Sequence, residues 1–428
     1  MGFLKFKDEL IRHTGVMFIG VSVFNLFNLL YHFFMIRMLP PTDYGHLNTL
    51  IALFMIISVP ANTVQTTITK FVSSFQAQCK YHQMRKLLRH LLLVTVIVAF
   101  SFFLLFALGR SFISSFLQIS STGLILLMGM VLLFAMVTPV PWGGLQGLQK
   151  FGLLAFNLII NGGLKLFLGI LFVFLGFGLL GAMGAIALSY FITTFLSLFM
   201  LRGSLAGGEV KANQESDAEG GYSSYFSDVY RYFFPVGITL TCFMILTNVD
   251  LILVKHFFTP IEAGYYSIGQ MVGKIILFLP LPIIMVMFPK LSSLGAKRQE
   301  ALSTMKQSLR ITFFICFIAA MGSLLFPSLI IRILSGKVYP ECIPLARLFS
   351  INMTFFSLTL ILLYYQLSTP ERWFLYPLFF STLIQTGLIV LFHKTLTQVL
   401  LVVGITAFCL LGLNFYLIYR PCERRIKS

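Results

Sequence analysis

Long apolar runs separated by short polar punctuation make up this chain. Helix needs about 20 apolar residues to cross a hydrocarbon core. On that measure we read twelve crossings, at 14–38, 45–69, 90–109, 118–140, 152–176, 179–201, 232–254, 264–288, 309–331, 344–366, 373–393 and 398–419. Residues 111–149 hold no formal charge, and residues 151–201 hold only Lys165. Lipid offers the backbone no hydrogen-bonding partner, so an open chain can cross it only as α-helix. The pattern predicts an all-α integral membrane protein of about twelve transmembrane helices. The first run is too long for a signal-peptide core and no small-residue cleavage site follows it, so it is expected to stay attached.

The pattern also repeats. Pro41-Thr42-Asp43-Tyr44-Gly45 closes one apolar run and opens the next, and Pro260-Ile261-Glu262-Ala263-Gly264 does so 219 residues later. Each is followed by a proline-bearing run (Pro60; then Pro280 and Pro282) that ends at a lysine, Lys70 or Lys290. Gln146 and Lys150-Phe151 are echoed by Gln366 and Arg372-Trp373, at spacings that drift to 222. The expected organisation is a six-helix bundle over 1–201, a polar, glycine- and acid-bearing cytoplasmic linker over 202–231, and a second six-helix bundle over 232–428 with a short basic cytoplasmic tail. Six crossings per half is an even number, so the halves form a parallel repeat, a plan on which many transporters are built.

Composition narrows the class. With 58% hydrophobic and 11% charged residues, against about 25% charged in soluble domains, a water-soluble globule is excluded. Placing the N-terminus inside puts 22 of the 31 lysines and arginines on the cytoplasmic side, which predicts that both termini are cytoplasmic. The same basic loops, facing anionic headgroups, account for the +17 net charge without nucleic acid as a partner. The six cysteines are scattered, with neither metal-ligand spacing nor a disulfide framework. Short outer connections leave no room for the catalytic loop of a membrane polymerase or ligase. No catalytic constellation and no P-loop occur, so neither an enzymatic cofactor nor a metal is expected. Gly176-Phe177-Gly178-Leu179-Leu180-Gly181 has the letters of a dinucleotide fingerprint, but no strand precedes it, and a tight turn between two spans explains it better.

Three charges lie inside predicted spans, where each costs at least about 2.5 kcal/mol in lipid and so faces a wet cavity or a partner. Lys165 sits about 20 Å into its span and Lys274 about 15 Å into its own, at 1.5 Å per residue. Together they predict a cationic cavity lining for an anionic substrate group, with Asp250 as a counter-charge or ion-coupling site. Structural ion pairing is the competing explanation. Asn28, His32, Asn62, Gln65 and Asn248 are candidate polar lining, although helix-to-helix hydrogen bonding is the ordinary use of such residues. Arg37 and Lys255, at span ends, are expected to snorkel.

The stretch Arg37-Met38-Leu39-Pro40-Pro41-Thr42-Asp43-Tyr44-Gly45, continuing through Pro60 and Gln65 to Lys70-Phe71-Val72-Ser73, resembles the opening of bacterial polysaccharide-biosynthesis membrane proteins. Those are lipid-linked oligosaccharide flippases of the multidrug/oligosaccharidyl-lipid/polysaccharide exporter superfamily. Gly144-Leu145-Gln146-Gly147-Leu148-Gln149-Lys150-Phe151 and Asn248-Val249-Asp250 with Ala263-Gly264-Tyr265-Tyr266-Ser267 agree with it. The resemblance implies two bundles around a central cavity that opens alternately to either face of a bacterial inner membrane. It implies a polyprenyl-pyrophosphate-linked glycan as cargo, a proton or sodium gradient as driver, and a polysaccharide polymerase and export machinery as partners. A multidrug or other small-molecule cation antiporter of the same superfamily is the alternative, and a membrane enzyme acting on the same lipid the third.

Overall fold

The structure is a computed structural model that describes residues 2–78, 80–119, 121–206, 222–284, 287, 291, 298–369 and 371–419, apart from the side chains of 2–15, 62, 70, 74, 77, 206 and 222–233. Among the described residues every regular element is helical. The chain divides into two compact units, Met1–Phe233 and Phe234–Ser428.

The first unit contains α1 (Gly2–Met38), α2 (Pro41–Ile57), α3 (Val59–Ala77), α4 (Tyr81–Leu108), α5 (Arg110–Phe116), α6 (Thr122–Val137), α7 (Pro139–Gly147), α8 (Phe151–Phe172) and α9 (Gly178–Ala206). Prolines set its breaks. Pro60 lacks an N–H and crowds the preceding turn, and α2 and α3 meet there at a 42° bend. Between α8 and α9 the chain reverses through Gly176 (φ +90°) and Gly178 (φ +50°), left-handed positions that glycine adopts without penalty. The fingerprint-like glycines thus make a turn.

Small residues let the helices of this unit approach closely, as membrane helices do in the absence of a hydrophobic drive between them. α1 packs on α8 with Gly20 against Ala155 and Gly169 against Tyr31; a Cβ added at these glycines would lie 2.6 Å and 2.7 Å from its neighbour. α3 packs on α7 through Gly143 and Gly147, which face Ile68 and Val72.

The second unit comprises α10 (Tyr222–Leu246, which begins before the unit boundary), α11 (Val249–Phe257), α12 (Pro260–Phe278), α13 (Arg298–Leu325), α14 (Pro327–Ser335), α15 (Cys342–Ser368), α16 (Leu375–Leu391) and α17 (Leu396–Tyr419). A capping box opens α12: Thr259 N–H donates to Glu262 Oε2 (3.0 Å) and Glu262 N–H to Thr259 Oγ1 (3.4 Å). α12 then packs on α15 through Gly269 and Gly273, set against Leu345, Phe349 and Met353. Asn352 of α15 donates to Leu400 O of α17 at 2.8 Å.

Nine helical segments of the described chain are long and apolar enough to cross a membrane, and the bent α2–α3 pair makes a tenth. One of the nine, Phe151–Leu205, measures 55 residues, about 80 Å of helix, and reverses at Gly176, so it is two crossings. Leu375–Leu391 is a shorter apolar helix of about 26 Å. About twelve crossings in two bundles therefore stand.

Several boundaries differ from expectation. The helix expected at 90–109 begins at Tyr81, and that expected at 309–331 begins at Arg298 and stops at Leu325, before Pro327 starts a separate short helix. Hydropathy marks where lipid begins, whereas helix continues into water wherever the backbone permits. The crossing expected at 232–254 is interrupted at Thr247–Asn248. Of the expected linker, 207–221 lie outside the described residues, and its flanks carry the end of α9 and the start of α10.

Candidate functional site

In each unit a charged side chain at membrane depth gathers a cluster of polar neighbours. In the first unit Lys165 lies on α8, about 21 Å from the helix start. Its Nζ donates to Asn28 Oδ1 of α1 at 2.6 Å and sits 4.6 Å from the centre of the Tyr31 ring. Asn28 is held in turn by its own donation to Phe24 O (2.9 Å). Tyr31 is fully buried and donates to Ala182 O of α9 at 3.0 Å. His32 follows, edge-on to the rings of Tyr31 and Tyr44, with Nδ1 3.3 Å from Tyr44 Oη. Both of Lys165's contacts, an amide oxygen and an aromatic face, are neutral; no described carboxylate lies within ion-pair distance. An ammonium held this way is oriented while its charge stays unmatched.

In the second unit the interrupted helix is the organising feature. Side chains meet its last carbonyls: Asn248 Nδ2 donates to Met244 O (2.9 Å), Thr247 Oγ1 to Phe243 O (2.9 Å) and Gln385 Nε2 of α16 to Leu246 O (2.8 Å). Asp250 occupies the first turn of α11, where the helix dipole favours an anion. Its carboxylate accepts from Tyr266 Oη at 2.8 Å and from Gln270 Nε2 at 3.5 Å. Tyr266, Gln270 and Lys274 follow at four-residue steps along one face of α12. Lys274 is 6% exposed. It makes no ion pair with Asp250, whose oxygens are met by the two residues before it on that face, Tyr266 and Gln270. Asp250 and Lys274 thus belong to one polar cluster.

The remaining expected lining residues lie elsewhere. Gln65 bridges α3 to α7, donating to Gln146 Oε1 at 3.2 Å. Asn62 belongs to α3, and its side chain lies outside the described residues. Lys255 does not snorkel. It is fully buried, and its Nζ has no hydrogen-bond partner among the described residues, because α12, α16 and α17 enclose the short helix α11 that carries it. The Arg37 guanidinium is exposed and lies 4.2 Å over the Phe33 ring.

Sequence reasoning missed four participants: Tyr31, Tyr266, Gln270 and Gln385. The four-residue spacing to Lys274 marks Tyr266 and Gln270. Gln385 follows from the internal repeat: it lies 220 residues after Lys165, and its partner Leu246 lies 218 after Asn28. In each unit the helix expected to be the fifth crossing reaches the first with a polar side chain at the same level.

Comparison with known proteins agrees with this architecture. Residues 10–294 match the family model for polysaccharide biosynthesis proteins. An uncharacterized membrane protein of Methanocaldococcus jannaschii is 22% identical over 218 residues, which is 50% of this chain and 51% of that protein, so the match spans about half the length of the curated relative. The fold is similar to the lipid II flippase MurJ in an inward closed conformation (TM-score 0.71, 13% identity, 95% of this chain and 88% of that one). It is also similar to a multidrug resistance MATE family transporter of the MOP superfamily in an inward-facing conformation (TM-score 0.70, 14% identity, 94% and 98%). The chain belongs to the polysaccharide biosynthesis protein family, and its helical fold is that of the multidrug/oligosaccharidyl-lipid/polysaccharide exporter superfamily.

Proposed function

We propose that this protein carries a polyprenyl-pyrophosphate-linked oligosaccharide from the cytoplasmic to the outer face of a bacterial inner membrane, for surface polysaccharide assembly. Both termini are cytoplasmic, as the basic bias requires. Transport is by alternating access, a proton or sodium gradient drives the cycle, and a polymerase and export machinery take the product.

Lys165 carries this reading. It is an ammonium deep in an apolar helix whose partners, Asn28 and Tyr31, are neutral, so its charge remains for the pyrophosphate, a group that lysine binds as a point charge. Lys274 contributes less, because it shares its helix face with the two residues that hold Asp250, which serves it as a counter-charge. Antiport of organic cations would need an acid free to meet the cation. The oxygens of Asp250 are engaged by Tyr266 and Gln270, which favours the glycolipid.

The test is complementation of a deletion strain. Lys165→Gln keeps a neutral hydrogen-bond donor, one bond shorter, and removes the charge. It should leave lipid-linked oligosaccharide on the cytoplasmic leaflet and lower surface glycan by about tenfold or more, the scale of a lost charge-assisted contact of about 1.5–3 kcal/mol, whereas Lys165→Arg should restore export. Full export with Lys165→Gln would remove Lys165 from recognition. Unchanged surface glycan in the deletion strain itself would remove the flippase assignment.

A further inference from the structure

The first turns of α4 carry His82, Arg85, Lys86 and Arg89, and these four side chains together line a pocket at the surface of the first unit. Their spacing of three, one and three residues places them on one face of the helix. Arg85 is anchored, its Nη2 donating to Leu205 O near the end of α9 at 2.9 Å. His82, Lys86 and Arg89 are exposed. Lys80, at the N-cap of α4, supplies no side-chain hydrogen bond, so the first-turn N–H groups add their partial positive charge to the same end.

The basic face does not stop at Arg89. It runs on as Leu93, Ile97, Phe100, Leu104 and Leu108, which are all exposed, over about 28 Å of helix. A cationic pocket that leads directly into an exposed apolar ladder is complementary to a molecule with an anionic head and a long hydrocarbon tail. A free phosphate would match only the head, and a soluble protein would have to enter the hydrocarbon layer to use the ladder.

We propose that the pocket at the start of α4 binds the phosphate headgroup of a membrane lipid, whose chain lies along the Leu93–Leu108 face. The lipid is a resident anionic phospholipid of the surrounding membrane, and the diphosphate-bearing carrier lipid is the rival that the test separates from it. The site is separate from the Lys165 cluster and stands whether or not the protein is a flippase.

The test uses the full-length purified protein, delipidated in detergent and titrated with phosphatidylglycerol, polyprenyl diphosphate or inorganic pyrophosphate, with bound molecules counted by native mass spectrometry. Each cation removed near a membrane surface is expected to weaken binding about fivefold, so Lys86→Gln with Arg89→Gln should weaken lipid binding about 25-fold. Lys150→Gln, at another exposed basic position, should leave it unchanged. Binding of phosphatidylglycerol by the native protein, with or without polyprenyl diphosphate, supports the proposal, and binding of polyprenyl diphosphate alone overturns it in favour of a carrier site. Unchanged lipid binding in the double variant, or inorganic pyrophosphate binding as tightly as the lipids, overturns it. All three exposed side chains can be replaced without disturbing the core, and an unaltered size-exclusion profile confirms it for each variant.

Discussion

The division of labour between the two clusters can be measured by a double-mutant cycle on Asp250 and Lys274. Asp250→Asn keeps the side chain's shape and an oxygen for Tyr266 Oη while removing the anion. Lys274→Met keeps the length of the stem and removes the cation. The two charges make no ion pair, so they act across more than about 4 Å. At an effective dielectric of about 20 the interaction is about 4 kcal/mol at 4 Å and about 2 kcal/mol at 8 Å. We therefore expect a coupling energy of about 2–3 kcal/mol. With about 2–4 °C per kcal/mol for a unit of this size, each single variant should lower the apparent melting temperature in detergent by about 5–10 °C. The double variant should fall short of the summed losses by a similar amount. Tryptophan fluorescence on the four proteins, with export assayed in parallel, gives the answer. Losses that add to within about 0.5 kcal/mol, the behaviour of independent sites, would refute the counter-charge assignment. A double variant that recovers stability but not export would return Lys274 or Asp250 to the transport cycle.

Three further outcomes follow from packing and burial. A Cβ at Gly273 would meet Met353 Cγ at 2.9 Å and Phe349 Cβ at 3.0 Å, so Gly273→Val should cost about 1–3 kcal/mol, read as a lower melting temperature and reduced yield of folded protein. Gly322→Ala, where a Cβ meets nothing within 4 Å, should be neutral or stabilising by up to about 1 kcal/mol, and a loss there would show that the α13 surface is covered. Lys255→Met replaces a buried ammonium that has no partner among the described residues with an apolar chain of similar length, and should hold or raise the melting temperature by about 1–3 kcal/mol equivalent; a marked drop would mean that Lys255 has an anionic partner.

Much of the architecture was legible in the sequence because lipid leaves few solutions. A run of apolar residues must be helical, the helix must be about as long as the membrane is thick, and the repeat of Pro41–Gly45 in Pro260–Gly264 declares two halves. Breaks were not legible, because a hydropathy window averages across Thr247 and Asn248 as readily as across any two polar residues. What ends the helix there is the set of competing acceptors and donors, Asn248 on Met244 O and Gln385 on Leu246 O, the second of which is 139 residues distant. Lys165 could be marked as important from depth alone, but its meeting with Asn28 across 137 residues needs the α1–α8 packing that Gly20 and Gly169 permit. The burial of Lys255 is not legible from its place at a span end, because its surroundings are decided by α12, α16 and α17.

The repeat also explains why the two clusters differ. A polar side chain joins the expected fifth crossing to the first in both units, yet in one it is Lys165 on a side-chain amide of an unbroken α1, and in the other Gln385 on a bare carbonyl of a broken helix. A continuous helix satisfies its own backbone and leaves the joint free to present a charge. An interrupted one must spend the joint on its own Leu246 carbonyl, since an unsatisfied group at membrane depth costs several kcal/mol. Interruption in turn places Asp250 at a fresh helix N-terminus, where an anion is favoured, and within reach of Tyr266 and Gln270. The same contact inherited by both halves therefore has two uses, with the unmatched cation in the half that kept its helix whole and the buried acid in the half that gave its helix up. On the proposed function, an exchange of these roles, Lys165→Gln together with Gln385→Lys, should then fail to restore export even though it conserves charge, because a lysine at 385 would be drawn to the carbonyls of the break and away from the proposed cargo.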